Sequence, residues 1–391
     1  MKTIAVFFGG RSAEHDVSII TAFIPVINTL LASGEYDVWP VYIAKDGSWY
    51  SDKAMNDLEY FRDPTYEEKL TKVKKLDISL NGGLTLIWPG FLKKEVKIDV
   101  AFPAMHGTYG EDGSLMGLLR MANVAFVGCD IFASAVAMDK AMTKQIISAE
   151  GVPVVPYVWF TRHDWAKDKE SIRAQIGKLN WPLFVKPVHL GSSIAITKVK
   201  KEEDLDNAIE VALHYDDKVL VEESVENLIE VTLPIMGGDE PTLAHIEKPN
   251  SKADLFDFQE KYIGSGGQKG GKSGGVNNNY SEIPAQIEDA LAEQVRTLGK
   301  SVWRILGGSG TMRVDFLING STKQIYVNEV NLLPGSLYEH NWRKAGVSNR
   351  DLVLGLVKVA EERFSSQKNT TYTFSSEILK VVGGPKMQHG N

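Results

Sequence analysis

A single cysteine, Cys129, in 391 residues leaves no partner for an internal disulfide and no Cys pair for a zinc or redox motif. A basic excess is missing as well. The 43 Lys and Arg stand against 50 Asp and Glu, a net charge of −7 with a pI near 5.7. That balance argues against a nucleic-acid polyanion as the main partner, but leaves room for a small phosphorylated ligand in a locally basic pocket. No apolar run approaches the roughly 20 residues that a membrane-spanning helix needs. The apolar stretch in MKTIAVFFGG is short and polar residues follow at once, so it reads as a first strand rather than a signal peptide. No repeat of fixed period is found. The expectation is a cytoplasmic chain of ordinary globular composition, long enough for about two or three domains.

What is there is an alternation of strands and helices. Residues 3–8 read as a buried strand ending at Gly9-Gly10, followed by a helical pattern from about Ala13 to Leu31 and a second strand over 36–45. Strand, glycine turn, helix and strand in that order predict an α/β sheet. Segment 50–95 is polar and irregular, with an inserted hairpin or helix near LTLIWPG. A strand follows over 99–107, a short helix over 114–123, and a strand at VAFVG. A helix over 133–151, stopped by Gly151, opens a second unit with strands at 182–187, 193–199 and 218–223 and a helix from about Glu202 to Tyr215. The third unit holds a glycine-rich loop, helices over 284–306 and near 350–364, and a hairpin. The division expected is 1–125, 126–220 and 221–391, with a lid loop at about 256–280.

The hairpin MRVDFLINGSTKQIYVNEVN, 312–331, turns at Asn319-Gly320. Glu329 and Asn331 are two apart and share a face, and Asp315 lies roughly across from them. Buried carboxylates are costly without a cation or hydrogen bonds. That face therefore reads either as a solvated sheet face or as a divalent-cation site. Lys186, at the end of the apolar strand LFVKP, suggests a bound anion, because a lysine fixed on a buried strand is uncommon. Lys140 lies on an apolar helix, and its neighbour Lys144 reads as an ordinary surface lysine. HLGSS offers backbone N–H groups and hydroxyls suited to covering phosphate. HGTYGEDG places His106 beside glycines and acids, and GGRSAEHDVS places Glu14 and His15 just after the first strand, where open α/β sheets bind ligands. GGQKGGKS, 266–273, fits the phosphate-loop pattern, but GGVNNNY follows, which cannot start the helix that such a loop needs. It reads instead as part of a lid, with Lys269 and Lys272 near phosphates.

Taken together, GGRSAEHDVS, HGTYGEDGSLMGLL, ASAVAMDK, PLFVKP with GSS, LVEE with EVTLPIMG, EKY, RVDF and NEVNLLPG resemble the D-alanine–D-alanine ligases of the ATP-grasp superfamily. These stretches run in family order from residue 4 to about 335. The resemblance implies three α/β domains, the first an open parallel α/β domain, with ATP bound between the second and third. It implies that Asp315, Glu329 and Asn331 hold two Mg²⁺ ions, or Mn²⁺ in their place, against the ATP phosphates; Mg²⁺ suits this because it keeps coordination positions for phosphate. Lys140 and Lys186 match phosphate-contacting lysines. Glu222 would meet the adenine edge, Glu230 the ribose hydroxyls, and Lys261 the transferred phosphate. Glu14 would anchor the first ammonium and His106 would sit by the first carboxylate. Arg313 and the Gly335 N–H would stabilise the oxyanion. Glu14, Ser192 and Tyr262 would tie the lid to the first domain. The reaction implied is activation of one D-alanine as an acyl phosphate, then attack by the amine of a second, for peptidoglycan precursors. Family members are commonly homodimers.

Departures from the family pattern lie on the acceptor side. In PGSLYEHNWRKAG, His340 stands where a Ser is usual and no Pro follows. Ala195 replaces a Gly in GSSIA. His340 would grip the acceptor carboxylate when protonated, or the acceptor would be D-serine, D-lactate or another amino acid. Tyr262 favours a peptide product, because relatives that make D-alanyl-D-lactate lack a tyrosine there. A non-catalytic nucleotide-binding relative and a phosphate-loop switch protein are the readings from other classes.

Overall fold

The computed structural model describes residues 1–91, 93–191, 194–249 and 281–376, together with Ile378. The expected lid, the GGQKGGKS stretch, Ser192, Lys261 and Tyr262 lie outside the described residues.

The first apolar run forms the strand Lys2–Gly9 at the centre of a five-stranded sheet. It pairs in parallel with Tyr36–Ile43 on one side and with Val100–Pro103 on the other; Ala125–Phe126 and the antiparallel Trp49–Tyr50 form the edges. Strands buried on both faces read as unbroken apolar runs, and Ile4 through Phe8 are fully buried. The insertion resolves into a three-stranded antiparallel sheet, Asp77–Ser79, Thr85–Trp88 and Lys94–Lys97, preceded by short helical turns.

The expected helix after Gly10 runs from His15 to Ser33, with a π-turn over Ala22–Ile27 that accommodates Pro25. By length and composition alone this helix could cross a membrane, which corrects the expectation that no such stretch exists. More than half of it is buried within the protein, and it carries hydrogen-bonded polar groups: Ser18 Oγ donates to the Ala104 carbonyl at 2.8 Å. It is the core helix of the first sheet. Buried His15 is part of that core too, its ring between the Gly10 carbonyl and the Tyr42 hydroxyl, and burial lowers its pKa.

The single helix expected over 133–151 is two, Ile131–Met138 and Lys140–Ala149. Asp139 leaves the helical conformation between them and caps the second, accepting from Met142 N–H at 2.8 Å. A four-stranded antiparallel sheet follows, in the order Thr197–Val199, Leu183–Pro187, Lys218–Glu223, Tyr157–Thr161. A second four-stranded antiparallel sheet is built from Pro241–Leu243, Leu228–Gly237, Gly310–Asn319 and Ile325–Asn331. One mainly parallel sheet is thus followed along the chain by two four-stranded antiparallel sheets, the three-unit order that the resemblance implies.

Packing does not follow chain order. Ala133 and Ile147 join the core of the last sheet. The last long helix, Asn349–Gln367, returns to the first sheet, where Leu352, Val353, Leu356 and Val357 pack with Val6, Phe8 and Phe102. Cys129 joins two units: its thiol donates to the Ser309 carbonyl at 3.1 Å and accepts from Ser309 N–H at 3.3 Å. Burial pushes this thiol up to about 11. A thiol-specific reagent at pH 8 is therefore expected to leave the native protein unmodified and to label one thiol per chain after denaturation; rapid labelling of the native protein would contradict this burial.

Candidate active site

The hairpin brings the acidic residues together through its register. Asp315 pairs with Glu329, and Arg313 with Asn331. Arg313 grips Asp315 with two hydrogen bonds, Nε to Oδ1 at 2.7 Å and Nη2 to Oδ2 at 2.6 Å, and Asn331 Nδ2 donates to Asp315 Oδ2 at 3.1 Å. Lys140 Nζ lies 3.8 Å from Glu329 and donates to the Leu190 carbonyl at 2.7 Å. The bound carboxylate outweighs desolvation and raises the Arg313 pKa well above its ordinary value.

One cavity gathers most of these groups, while Asp315 is not part of its lining. Glu14 and His106 of the first unit, Lys140 and Gly191 of the second, and Arg313, Glu329, Asn331 and Gly335 of the third all line it. The Glu14 carboxylate sits against two glycines from different units. A Cβ on Gly107 would lie 2.9 Å from Glu14 Oε2, and one on Gly191 would lie 3.2 Å away. His106 Nε2 is 2.7 Å from Thr21 Oγ1, which accepts the Ser336 N–H at 3.0 Å. Glu111 accepts from Gly107 N–H at 2.7 Å and from Leu333 N–H at 3.2 Å. Thr21 and Glu111 therefore fasten the first unit to the segment around Gly335.

A second cluster lies between the two four-stranded antiparallel sheets and reaches Asn328 of the cavity lining. Lys186 and Glu222 are diagonal neighbours on paired strands and are hydrogen-bonded to each other. Lys186 Nζ also lies 3.4 Å from Asn328 Oδ1 on the hairpin. Glu222 is buried, and its carboxylate is held by Lys186 on one oxygen and by Lys144, at 2.9 Å, on the other. Burial alone would push this carboxyl up, but the two ammonium charges hold it well below its usual range. The reading of Lys144 as a surface lysine is thus corrected, since it is 1% exposed. Its signal was helical spacing: Ala141, Lys144 and Ile147 share the inward face. Glu230 is half-buried on the adjoining strand, opposite Leu317.

His340 does not line the cavity described above. Its Nε2 lies 2.9 Å from the buried Glu247, which also accepts from Asn341 Nδ2 at 3.0 Å. The backbone leading to it, Ser336, Leu337 and Tyr338, holds three consecutive positive φ angles of 49°, 53° and 55°, a strained left-handed turn for non-glycine residues. Sequence reasoning missed Glu247, Glu111, Thr21 and Asp139, whose roles arise from contacts between distant segments.

Comparison with known proteins accords with this geometry. Residues 3–129 match the D-ala D-ala ligase N-terminus family, and 146–358 match the D-ala D-ala ligase C-terminus family. The chain belongs to the D-alanine–D-alanine ligase family. A D-alanine–D-alanine ligase of Thermosipho melanesiensis is 35% identical over 385 residues, covering 98% of this chain and all of that protein. One from Bacillus velezensis is 33% identical over 94% of this chain and all of that protein. Among solved structures, the D-alanine–D-alanine ligase from Coxiella burnetii superposes with a TM-score of 0.77 at 27% identity, over 94% of this chain and 96% of that one. The VanG D-Ala:D-Ser ligase from Enterococcus faecalis reaches 0.75 at 30% identity, over 92% and 99%. Ligases of this ATP-grasp family use ATP with a divalent metal.

One pH-sensitive element borders the cavity. His189 is clamped between Asp139, 3.4 Å from its Nε2, and Asp216, 2.9 Å from its Nδ1, while Lys218 binds Asp139 at 2.7 Å. The bonds to Asp139 and then Asp216 outweigh desolvation and raise the imidazole pKa to about 9. A folded-state pKa raised above the ordinary 6.5 gives stability that is complete below 6.5 and lost as pH rises through about 9. The melting-temperature gap between wild type and His189→Gln should thus be largest in acid and shrink over that interval. A gap independent of pH would contradict the charged clamp.

Proposed function

We propose that this chain joins two D-alanine molecules to D-alanyl-D-alanine, with ATP converted to ADP and phosphate, as a step towards peptidoglycan precursors. The observation that carries this reading is the single cavity where an oxygen-rich hairpin, Lys140, Arg313 and Gly335 meet Glu14 and His106 of the first unit. Such an arrangement can hold a triphosphate, a carboxylate and an amine together, and positioning with charge neutralisation provides most of the catalysis in phosphoryl transfer.

Two carboxylates and an amide on adjacent strands form a hard-oxygen donor set that fits Mg²⁺. Asp315, Glu329 and Asn331 would hold two such ions, or Mn²⁺, which would neutralise phosphate charge when bound. Lys140 and Lys186 bind phosphates, Glu230 binds the ribose, and Glu222 belongs to the adenine end. Glu14 anchors the first ammonium and His106 adjoins the first carboxylate. That carboxylate attacks the γ-phosphorus, giving an acyl phosphate and ADP. The second amine then attacks the carbonyl carbon, and Arg313 with the Gly335 N–H stabilises the oxyanion before phosphate leaves. Ser192, Lys261 and Tyr262, with the lid at about 256–280, complete the proposal by excluding water from the acyl phosphate.

His340 belongs to the acceptor side in this reading, with Glu247 fixing its ring. The three-unit division at 125 and 220, a cytoplasmic setting and a homodimer are parts of the same proposal. A lone, buried cysteine fits the second, and exposed Ile20, Ile24 and Leu31 on one helix support the third.

Two measurements test it. ADP release against a panel of D- and L-amino acids and D-lactate, with products identified by mass, should show D-alanyl-D-alanine as the main product; preference for D-serine or D-lactate as acceptor would overturn the substrate assignment. Glu329→Ala should lower kcat about a hundredfold or more with an unchanged circular-dichroism spectrum, because a cation clamp supplies several kcal/mol of transition-state stabilisation. Normal turnover with the same Mg²⁺ dependence would remove Glu329 from the metal site.

A further inference from the structure

We infer that Lys144 is a positioning residue of the nucleotide site: it keeps the buried Glu222 carboxylate compensated, so that Lys186 can leave that carboxylate for a phosphate when ATP enters. The inference rests on the reading of Lys186 as a phosphate ligand.

The geometry separates the two lysines. Lys144 projects from the helix Lys140–Ala149, one turn after Lys140, and its side chain is 2% exposed. Lys186 stands at the end of its strand with a side chain 11% exposed, and reaches across to Asn328 Oδ1 on the hairpin strand that carries Glu329. Glu222 is shared between them, Oε1 with Lys186 and Oε2 with Lys144. Neither Lys144 Nζ nor Glu222 Oε2 has a well-aligned hydrogen bond among the described residues, so this contact is held by charge.

A buried carboxylate stripped of its counter-ion is strongly unfavourable. Were Lys186 the sole partner, each phosphate that drew it away would leave Glu222 bare, and the nucleotide would bind against that penalty. Two ammonium groups on one carboxylate change the balance. Burial lowers the Lys144 pKa against the pull of Glu222; with both lysines protonated the trio carries one surplus positive charge, and the more exposed lysine can turn to an incoming anion while the deeper one stays. Lys144 contacts no phosphate in this scheme; it acts through Glu222 on Lys186.

A merely structural lysine would give the same stability loss without any preference for phosphates, so the test compares ATP with adenosine. Binding of each to the full chain is measured by calorimetry or competition in Mg²⁺, and the ratio of affinities isolates the phosphate contribution. Lys144→Met should reduce this ratio about tenfold or more, and adding Glu222→Gln should restore it to within about threefold of wild type, because a neutral amide no longer retains Lys186. Lys186→Met is the control. If it leaves the ratio unchanged, the phosphate role of Lys186 fails. If Lys186→Met lowers the ratio but Lys144→Met does not, or if Glu222→Gln gives no recovery, the role of Lys144 is overturned. Should Lys144→Met not fold, Glu222→Gln alone decides: it should raise the ratio or hold it at wild type, and a fall as large as that from Lys186→Met would overturn the inference.

Discussion

A one-residue irregularity in a β-hairpin sets which side chains reach this cavity. Side chains alternate along a strand, so Ile325, Val327, Glu329 and Asn331 should share one face. Ile325 and Val327 are buried in the core, which would send both polar residues there as well. The register shifts, however: Asp315 pairs with Glu329, while Phe316 pairs with Val327, leaving Asn328 as an extra residue. Val330 then takes the inward position, and Glu329 and Asn331 turn to the face that carries Arg313 and Asp315. A β-bulge re-aims a side chain without breaking the sheet, and bulges are common next to functional sites. Here it converts a core strand into a wall of oxygen donors, and it releases Asn328 towards Lys186.

Much of this was readable from residues alone. The parallel sheet followed from apolar runs bounded by glycine, and the hairpin from Asn319-Gly320. The cavity residues Glu14, His106, Lys140, Arg313, Glu329, Asn331 and Gly335 were named from motifs. The bulge was not legible, because nothing in IYVNEVN marks Asn328 as surplus; only the pairing partner shows it. Nor was the break at Asp139, since an apolar helical pattern continues on both sides and the signal is a single capping carboxylate. Lys144 was misjudged because residue type was weighed above helical position.

Apolar clusters that cross between units supply their cohesion, and small numbers of polar contacts join the same units at the cavity. Thr21, His106 and Glu111 connect the first unit to residues 333–336, and the Glu14 carboxylate packs against the Gly191 backbone. Contacts of this kind are individually worth about 1 kcal/mol, or up to about 3 kcal/mol when a charge is involved. Their share in the stability of the fold is small beside that of the apolar clusters. The strained turn at Ser336–Tyr338 sits immediately beyond Gly335, where such contacts can hold an unfavourable backbone in place.

The helix Asn349–Gln367 closes the chain upon its own beginning. Its apolar face completes the core around the strand Lys2–Gly9, and Arg363 donates to the carbonyls of Phe126 and Gly128. During synthesis the amino-terminal sheet therefore emerges from the ribosome more than two hundred residues ahead of a helix that covers part of it. The apolar side of that sheet gains its full cover only once residues 349–367 have followed the two four-stranded sheets out of the ribosome.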